Sequence, residues 1–590
     1  MDIFQTTVTV IHEISRVTIF IRRVVQEIRS YEDNVSRLQS ELEHEFIFLE
    51  TFKKLFFSGD NFEIRQFKYL PDNLTRSVHN ILTGLNKCLA EYRVIALKHG
   101  LDLSEAEVAT GLEQTTATPS PLVLPIDEKV SEGYRDRFRA MIAALRQKTR
   151  APEWALFSKA KIQALLAQYS EWTERLRQVM MLILLVEGRV GTLTARDIVT
   201  QSAGSALGLR KAAARQLRAQ SNPPDDFGPL EGSFEALDTL SRPPSSDPSV
   251  MQYKYVLGSY TDAFGVSSIT AIMEKHTFDI FSPTTTTIKE RSDIRTALVR
   301  KLAWTLNDGD ESSRSPDGIQ DDHGTKSPEG SGKNTSHVKL LPCLGYLPIA
   351  SDGYPSMIYK LPPGTTGGSI STLHDYILNF PRPPLGDRFS MALSLAASVL
   401  DVHSSGWVHK GIWSRGILVM PTQRRALYLL GWSTARPRSE EMGMWSMESD
   451  TETKDKKSRV PKQLEIELYR HPERYETKTA SFTAKHDIYS VGIILLEIAL
   501  WITMSKQFSE AITKAKEKDA LPPARMVNNA LARLSRDARV AQEMGEEYSH
   551  LIRRCLETDF EVEEYDEKES GLLGQFQALV VDRLSVGAAM

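Results

Sequence analysis

Apolar residues recur at three- and four-residue steps through the first 220 residues of the chain. Near the amino terminus they form one stripe, which consists of Ile14, Val17, Phe20, Ile21, Val24 and Ile28. This spacing places the side chains on a single face of a helix. Four further helices are predicted over residues 77–97, 127–149, 154–186 and 194–220, with a Thr/Pro-rich break at 115–125. The pattern predicts an all-α helical bundle over residues 1–220.

The sequence changes character after this region. Residues 221–249 are rich in proline, serine and acidic residues and have little periodicity, which predicts a linker. Strand-like segments follow at 253–260, 266–274 and 356–362, and helical patterns dominate after residue 388. Two polar inserts, near 307–337 and 436–460, are predicted to be disordered. We therefore expect a second domain of class α+β over residues 250–590, with a small sheet-rich lobe and a larger helical lobe.

Composition narrows the class of protein. The 590 residues are 41% hydrophobic and 25% charged, as in a soluble globular protein. A net charge of −4 gives no support to nucleic-acid binding. The cysteines Cys88, Cys343 and Cys555 are too far apart for a disulfide framework or a CxxC metal site, which favours a reducing compartment. The apolar run at 179–186 is too short to span a bilayer. We expect a cytoplasmic protein that can lie on a membrane surface.

The stretch GWVHKGIWSRGILVM, residues 406–420, resembles the catalytic loop of protein kinases, H-R-D-L-x-x-x-N. Gly411 stands where that loop has its catalytic aspartate, and Gly416 stands where it has its metal-binding asparagine. After the strand-like ALYLL, Gly431 replaces the metal-binding aspartate of D-F-G. Phosphoryl transfer depends on these groups. The resemblance therefore implies a kinase-like domain without a catalytic residue or a metal site.

Other motifs resemble the scaffold of a kinase. His409 and Lys410 match the first two positions of the loop, and Pro472 and Glu473 match the end of the A-P-E element. The segment KHDIYSVGIILLEIALW resembles the kinase helix D-x-W-S-x-G-x-x-L-x-E, with its aspartate and glycine at Asp487 and Gly492. In kinases this aspartate holds the backbone of the catalytic loop. We expect the same structural role here, within a bilobal protein-kinase-like fold.

The nucleotide-binding groups are less complete. Lys275 ends the segment AIMEK, where the V-A-I-K lysine of a kinase would lie. It is predicted either to contact a nucleotide or to face solvent from an edge strand. We expect Trp407, Trp413 and Trp432 to close the cleft. No cofactor is expected, and ATP is the one ligand left open.

The amino-terminal half has a resemblance of its own. EWALFSKAKIQALLAQYSEWTERL, residues 153–176, and residues 31–56 are similar to segments of the HeLo prion-inhibition and propagation domain. Together with the kinase-like segments, they resemble fungal proteins that join a HeLo-type domain to a kinase-like domain. The resemblance implies a non-catalytic signalling protein of heterokaryon incompatibility or programmed cell death, in which a pseudokinase regulates a helical effector. The alternatives are a divergent active kinase that binds ATP and a soluble interaction scaffold.

The resemblance to HeLo-type and kinase-like domains also predicts what the protein binds. Protein partners and oligomerisation are expected, with membrane-surface contact through the helical domain and no nucleic acid. The basic residues of the first helix, Arg16, Arg22 and Arg23, suit either an interfacial helix or an ordinary buried helix. A second basic run is predicted to be a solvated helix face, with lipid phosphates or an acidic partner as the alternative. This run consists of Arg210, Lys211, Arg215 and Arg218.

Overall fold

The computed structural model divides the chain into two compact units, residues 1–213 and residues 214–590. The boundary falls inside a helix, whereas the sequence predicted it at the end of that helix. The structure describes the following residues: 3–27, 35–57, 70, 72–98, 101, 132–147, 157–185, 195–196, 198–199, 209–239, 255–265, 268–276, 288–307, 340–348, 354–362, 365, 370–420, 425–437, 464–476, 482–518, 522–558, 560 and 569–588.

The regular elements among the described residues of the first unit are all helices, as predicted. Its helices pack around α1, which contacts α2 and α3, while α6 contacts the same two helices. The helices are α1 (Ile3–Glu27), α2 (Val35–Phe57), α3 (Asp72–Cys88), α4 (Ala90–Lys98), α5 (Glu132–Gln147) and α6 (Lys159–Leu185), followed by α7 (Arg210–Gln220), which crosses the unit boundary.

The apolar stripe of α1 forms part of the core of this unit. Its members from Ile14 to Val24 are at most 1% exposed, while Ile28 lies outside the described residues. Polar groups inside the core fix the helices against each other. The hydroxyl of Thr18 lies 3.1 Å from that of Tyr169, and Thr173 donates to Glu45 across 2.5 Å. A buried polar group must find such a partner, so these bonds specify the packing of α1, α2 and α6.

Two arginines of α1 also make contacts inside the unit. Arg22 pairs with Glu43 at 2.7 Å, and the guanidinium of Arg23 lies 5.3 Å from the ring centroid of Tyr134. These contacts favour the buried-helix interpretation of α1.

The second unit begins with a five-stranded antiparallel sheet in the order β1-β2-β3-β5-β4. The first strand lies inside the predicted linker 221–249. It forms the sheet edge and is mostly exposed, so its sequence carries no strong apolar alternation. A helix, α8 (Ile288–Leu306), separates β3 from β4 along the chain and packs on β4. The strands are β1 (Ser233–Thr239), β2 (Tyr255–Thr261), β3 (Ser268–Lys275), β4 (Cys343–Leu347) and β5 (Ser356–Lys360).

The rest of the second unit is mainly helical around α13, whose residues are almost all buried. Short strands accompany the helices: β6 (Ser371–Thr372), β7 (Trp407–Val408), β8 (Ile417–Met420), β9 (Ala426–Leu429) and β10 (Arg436–Pro437). The helices are α9 (Leu373–Asn379), α10 (Leu385–Ser404), α11 (Leu464–Glu467), α12 (Pro472–Glu476), α13 (Ala484–Leu500), α14 (Met504–Gln507), α15 (Ser509–Lys518), α16 (Ala524–Ser535), α17 (Ala538–Met544), α18 (Glu546–Glu557), α19 (Ser570–Phe576) and α20 (Asp582–Ala588).

The two predicted inserts fall almost entirely outside the described residues, as does the break at 115–125. None of the helices in the described part of the chain combines the length and the apolar character needed to cross a membrane.

Candidate functional site

The loop between β7 and β8 is held by Asp487, in the first turn of α13. Its carboxylate accepts hydrogen bonds from the backbone amides of His409 at 2.7 Å and Lys410 at 2.9 Å, and it lies 2.9 Å from Nε2 of His403. Burial alone would raise the pKa of Asp487, but the bonds from His403 and the loop lower the pKa below its ordinary value. The ionised carboxylate thus fixes the loop at Lys410, whose φ of 65° is unusual for a side-chain-bearing residue.

His409 packs inside the loop. Its ring centroid lies 4.8 Å from that of Trp432 in an edge-on arrangement, and its Nδ1 accepts from the amide of Gly411 at 3.3 Å. Burial lowers the pKa of His409 to about 4, although the charge of Asp487 acts in the opposite direction. The imidazole is therefore neutral at pH 7 and serves the packing of the loop.

The three glycines predicted at the degenerate catalytic positions lie close together. A Cβ on Gly411 would lie 2.7 Å from Oγ1 of Thr434 and 3.2 Å from the carbonyl oxygen of Gly431. A Cβ on Gly416 would lie 3.0 Å from the ring of Trp413 and 3.4 Å from the carbonyl oxygen of Gly411. Gly431 has a φ of 87°, which favours glycine. Neighbouring atoms therefore fill the space that acidic or amide side chains would need.

Glu274 on β3 reaches the turn at Gly431, a contact that no local sequence pattern predicts. Its Oε2 accepts from the backbone amide of Gly431 at 3.3 Å, and the amides of Trp432 and Ser433 and the hydroxyl of Tyr359 also bond to the carboxyl group. Burial raises the pKa of Glu274 to about 7, while these bonds lower it. A buried acidic group is thus bound to the turn that follows β9.

Lys275 follows Glu274 on the same strand. Successive side chains on a strand leave from opposite faces. Ile272, Glu274 and His276 share one face and are at most 1% exposed, while Lys275 is half-buried on the other face. Nε2 of His276 lies 3.8 Å from Glu274, and burial lowers the pKa of His276 to about 3. A nucleotide contact by Lys275 stays a prediction, but the face that reaches Gly431 carries an acid instead.

The three tryptophans surround this region as buried side chains. Trp407, Trp413 and Trp432 are only 3–4% exposed. A cavity of about 10 Å³ borders Trp407 and Trp432, which leaves room for one water molecule at most.

A second buried polar network lies under the loop. The hydroxyl of Tyr469 lies 2.9 Å from that of Ser414 and donates to Glu497 at 2.7 Å. The amide of Met504 also donates to Glu497, at 2.6 Å. Burial raises the pKa of Glu497 to about 7, against the hydrogen bond from Tyr469. The network ties the loop to α13 independently of Asp487.

The remaining scaffold residues also have defined places. Pro472 begins α12, where its missing amide costs nothing. Glu473 pairs with Lys485 at 2.7 Å. Gly492 lies in α13, where a Cβ would come within 2.7 Å of Cβ of Cys555. Glycine at this position therefore allows α18 to approach α13.

The end of the basic run on α7 packs within the second unit. Arg215 is 8% exposed and pairs with the buried Asp401 of α10 at 2.9 Å. The guanidinium of Arg218 lies 5.0 Å from the ring centroid of Trp304, and Lys301 donates to the carbonyl oxygen of Arg218 at 3.0 Å. The prediction that Arg215 lies on a solvated helix face is wrong. Its partner, Asp401, lies in a distant part of the chain, so the sequence near Arg215 does not reveal it.

Comparison with models of known protein families found no match to this chain. Comparison with curated protein sequences found none either.

Proposed function

We propose that this chain is a non-catalytic signalling protein in which a kinase-like domain regulates a HeLo-type helical effector domain. The effector domain would correspond to the first unit, residues 1–213, and the kinase-like domain would lie in the second unit, residues 214–590. The setting implied by the resemblance is fungal incompatibility or programmed cell death.

The convergence of Gly411, Gly416 and Gly431 carries the non-catalytic part of this proposal. An active kinase needs an aspartate to accept the substrate proton and two side chains to hold magnesium. Here all three positions lack side chains, and atoms of Thr434 and Trp413 lie where such side chains would begin. The loop is nevertheless held by Asp487 and by the Glu497 network, so its shape is stabilised without its chemistry.

Glu274 gives a second, electrostatic argument against nucleotide binding. In an active kinase, a lysine of the third strand pairs with the phosphates of ATP. On β3 of this chain the side chain that reaches the turn at Gly431 is a carboxyl group. In its ionised form this carboxyl group repels phosphate. In its protonated form it is neutral and supplies no positive charge.

Helix α7 is the element through which the proposed regulation would act. It crosses the unit boundary, and its second half is fixed within the second unit by the buried pair Arg215–Asp401. Arg215 and Trp432 line the same small cavity, so a shift of Trp432 would change the surroundings of Arg215 on α7. The chain connection then transmits it toward residues 1–213.

Leakage from anionic vesicles tests the regulatory part. Vesicles of phosphatidylcholine and phosphatidylserine would hold a self-quenching dye, and the full chain would be compared with Arg215→Met, with the matched exposed variant Lys211→Met, and with residues 1–213. We expect release by Arg215→Met and by residues 1–213, and none by the full chain or by Lys211→Met. Absence of dye release by all four samples would contradict the effector role and favour the soluble scaffold.

A further inference from the structure

Three potential metal ligands meet where α12 and α13 begin. His471 precedes α12, Glu473 lies in its first turn, and His486 lies in the first turn of α13. One ligand atom from each lies within 4.8 Å of the others. Oε2 of Glu473 is 3.6 Å from Nε2 of His486 and 4.0 Å from Nδ1 of His471. Tetrahedral zinc ligands are roughly 3.4 Å apart, so closure by less than about 1.5 Å would form a site.

His486 supplies an independent sign of a ligand. Its side chain is 1% exposed, and its Nε2 has no hydrogen-bond partner among the described residues. A buried polar atom without a partner costs free energy in a folded protein. Because Nδ1 of this ring accepts from Thr483, Nε2 carries the ring proton and lies 3.6 Å from Oε2 of Glu473. A metal ion that replaces this proton would bind both groups.

We propose that His471, Glu473 and His486 bind a divalent first-row metal ion of the zinc type. Two imidazoles and one carboxylate are ligands that such ions prefer over magnesium or calcium. Three protein ligands leave a fourth position for water. Glu473 is half-exposed, which gives the ion a route from solvent.

Metal binding through Nε2 changes the tautomer of His486. Nδ1 of its ring accepts from the amide of Thr483 at 2.8 Å and also lies 3.1 Å from the hydroxyl of Thr483. With metal on Nε2, the ring proton moves to Nδ1, where the hydroxyl of Thr483 can accept it. The bond from the amide of Thr483 to Nδ1 is then lost, and metal binding must outweigh this loss.

Lys485 competes with the ion. Its ammonium lies 2.7 Å and 3.0 Å from the two carboxylate oxygens of Glu473. Metal binding must displace this ammonium, since two cations cannot share one carboxylate at this distance without repulsion. Removal of the lysine charge should therefore strengthen metal binding.

A bound metal ion would also affect Asp487, which is the next residue after His486. Asp487 holds the loop at His409 and Lys410. A bound ion would join α12 to the first turn of α13 and brace this carboxylate. The metal site stands on its own geometry and does not depend on the membrane or nucleotide arguments.

Calorimetric titration of the chelator-treated full chain with zinc chloride tests the proposal, with cobalt chloride and visible absorption as the second readout. We expect one equivalent of saturable binding and the absorption of tetrahedral cobalt. His486→Gln should weaken binding roughly tenfold or more, and glutamine at this helix position can preserve the bond to Thr483. His471→Asn should weaken binding similarly, and Lys485→Gln should tighten it. His550→Gln, an exposed histidine of α18, is the matched control and should bind as the unaltered chain does.

The absence of saturable zinc binding by the unaltered chain would overturn the proposal. Unchanged affinity in a folded His486→Gln variant would do the same. If that variant loses its fold, judged by circular dichroism, His471→Asn and Lys485→Gln decide, and unchanged affinity in both would contradict the site.

Discussion

The backbone amide of Gly431 donates a hydrogen bond to Glu274 across 3.3 Å, joining residues that are 157 positions apart. The bond connects the five-stranded sheet to the turn after β9 within the second unit. It places a buried acidic group beside the turn that follows β9.

Replacement of Glu274 by glutamine should change how stability depends on pH. The pKa of Glu274 is raised to about 7 by burial, so the folded state binds its proton more tightly than the unfolded state does. The unaltered chain should thus lose stability as pH rises from about 4.5 to about 7. Glu274→Gln removes this loss, and its stability relative to the unaltered chain should rise by about 3 kcal/mol over that range.

Urea unfolding at a series of pH values measures this difference. The exposed strand residue Glu235 offers a control, since Glu235→Gln should follow the unaltered chain. A Glu274→Gln curve parallel to that of the unaltered chain would show that the carboxyl group does not titrate in this range.

Asp487→Asn should destabilise the second unit by about 3 kcal/mol at pH 7. The pKa of Asp487 is lowered, so its stabilising effect is fully present above its ordinary pKa and is lost only when pH falls through the lower folded value. Asparagine keeps the shape but loses the charge that faces His403 and the loop amides. Urea unfolding measures the change, and Glu510→Gln, at an exposed pair, should stay within about 0.5 kcal/mol of the unaltered chain. An equal loss of stability in Asp487→Asn and Glu510→Gln would contradict the structural role of Asp487.

Gly492→Ala should destabilise the chain by about 1–3 kcal/mol, because the new methyl group would overlap Cβ of Cys555 at 2.7 Å. The matched variant is Gly386→Ala on α10, where a Cβ meets no atom within 4 Å. Alanine there should be neutral or stabilise the helix by up to about 1 kcal/mol. Thermal unfolding of both variants tests the close approach of α13 and α18, and equal midpoints would refute it.

Gly84→Ala applies the same test to the helical unit. A Cβ on Gly84 of α3 would lie 2.4 Å from the ring of Trp172 on α6, so we expect a loss of about 1–3 kcal/mol. Gly133→Ala on α5 is the control, because its nearest neighbour is an arginine side chain at 3.7 Å. Hydrogen exchange of α3 and α6 should increase in Gly84→Ala alone. Protection as in the unaltered chain would mean that the two helices do not pack this closely.

Local sequence patterns predicted the helices well. The stripe from Ile14 to Val24 is buried because helical periodicity depends only on neighbours along the chain. The role of Asp487 followed from motif resemblance, whereas Gly492 was matched only as a motif position. The three glycines were predicted as degenerate positions, although their mutual contact was not.

Long-range pairing explains what sequence reasoning missed. The face on which Glu274 lies depends on the register of β3 with β2 and β5, and β5 begins about eighty residues later. Arg215 was predicted to face solvent, since nothing near it along the chain announces Asp401. Strand β1 was missed because an exposed edge strand needs no apolar alternation.

Phosphoryl transfer from magnesium ATP is the most direct measurement of the central claim. The full chain would be incubated with ATP labelled at the γ-phosphate and a general protein acceptor, beside Lys275→Met as a control for contaminating kinases. We predict no transfer above background by either protein, to the acceptor or to the chain itself. Time-dependent transfer by the unaltered chain that Lys275→Met abolishes would contradict the account and establish a divergent active kinase.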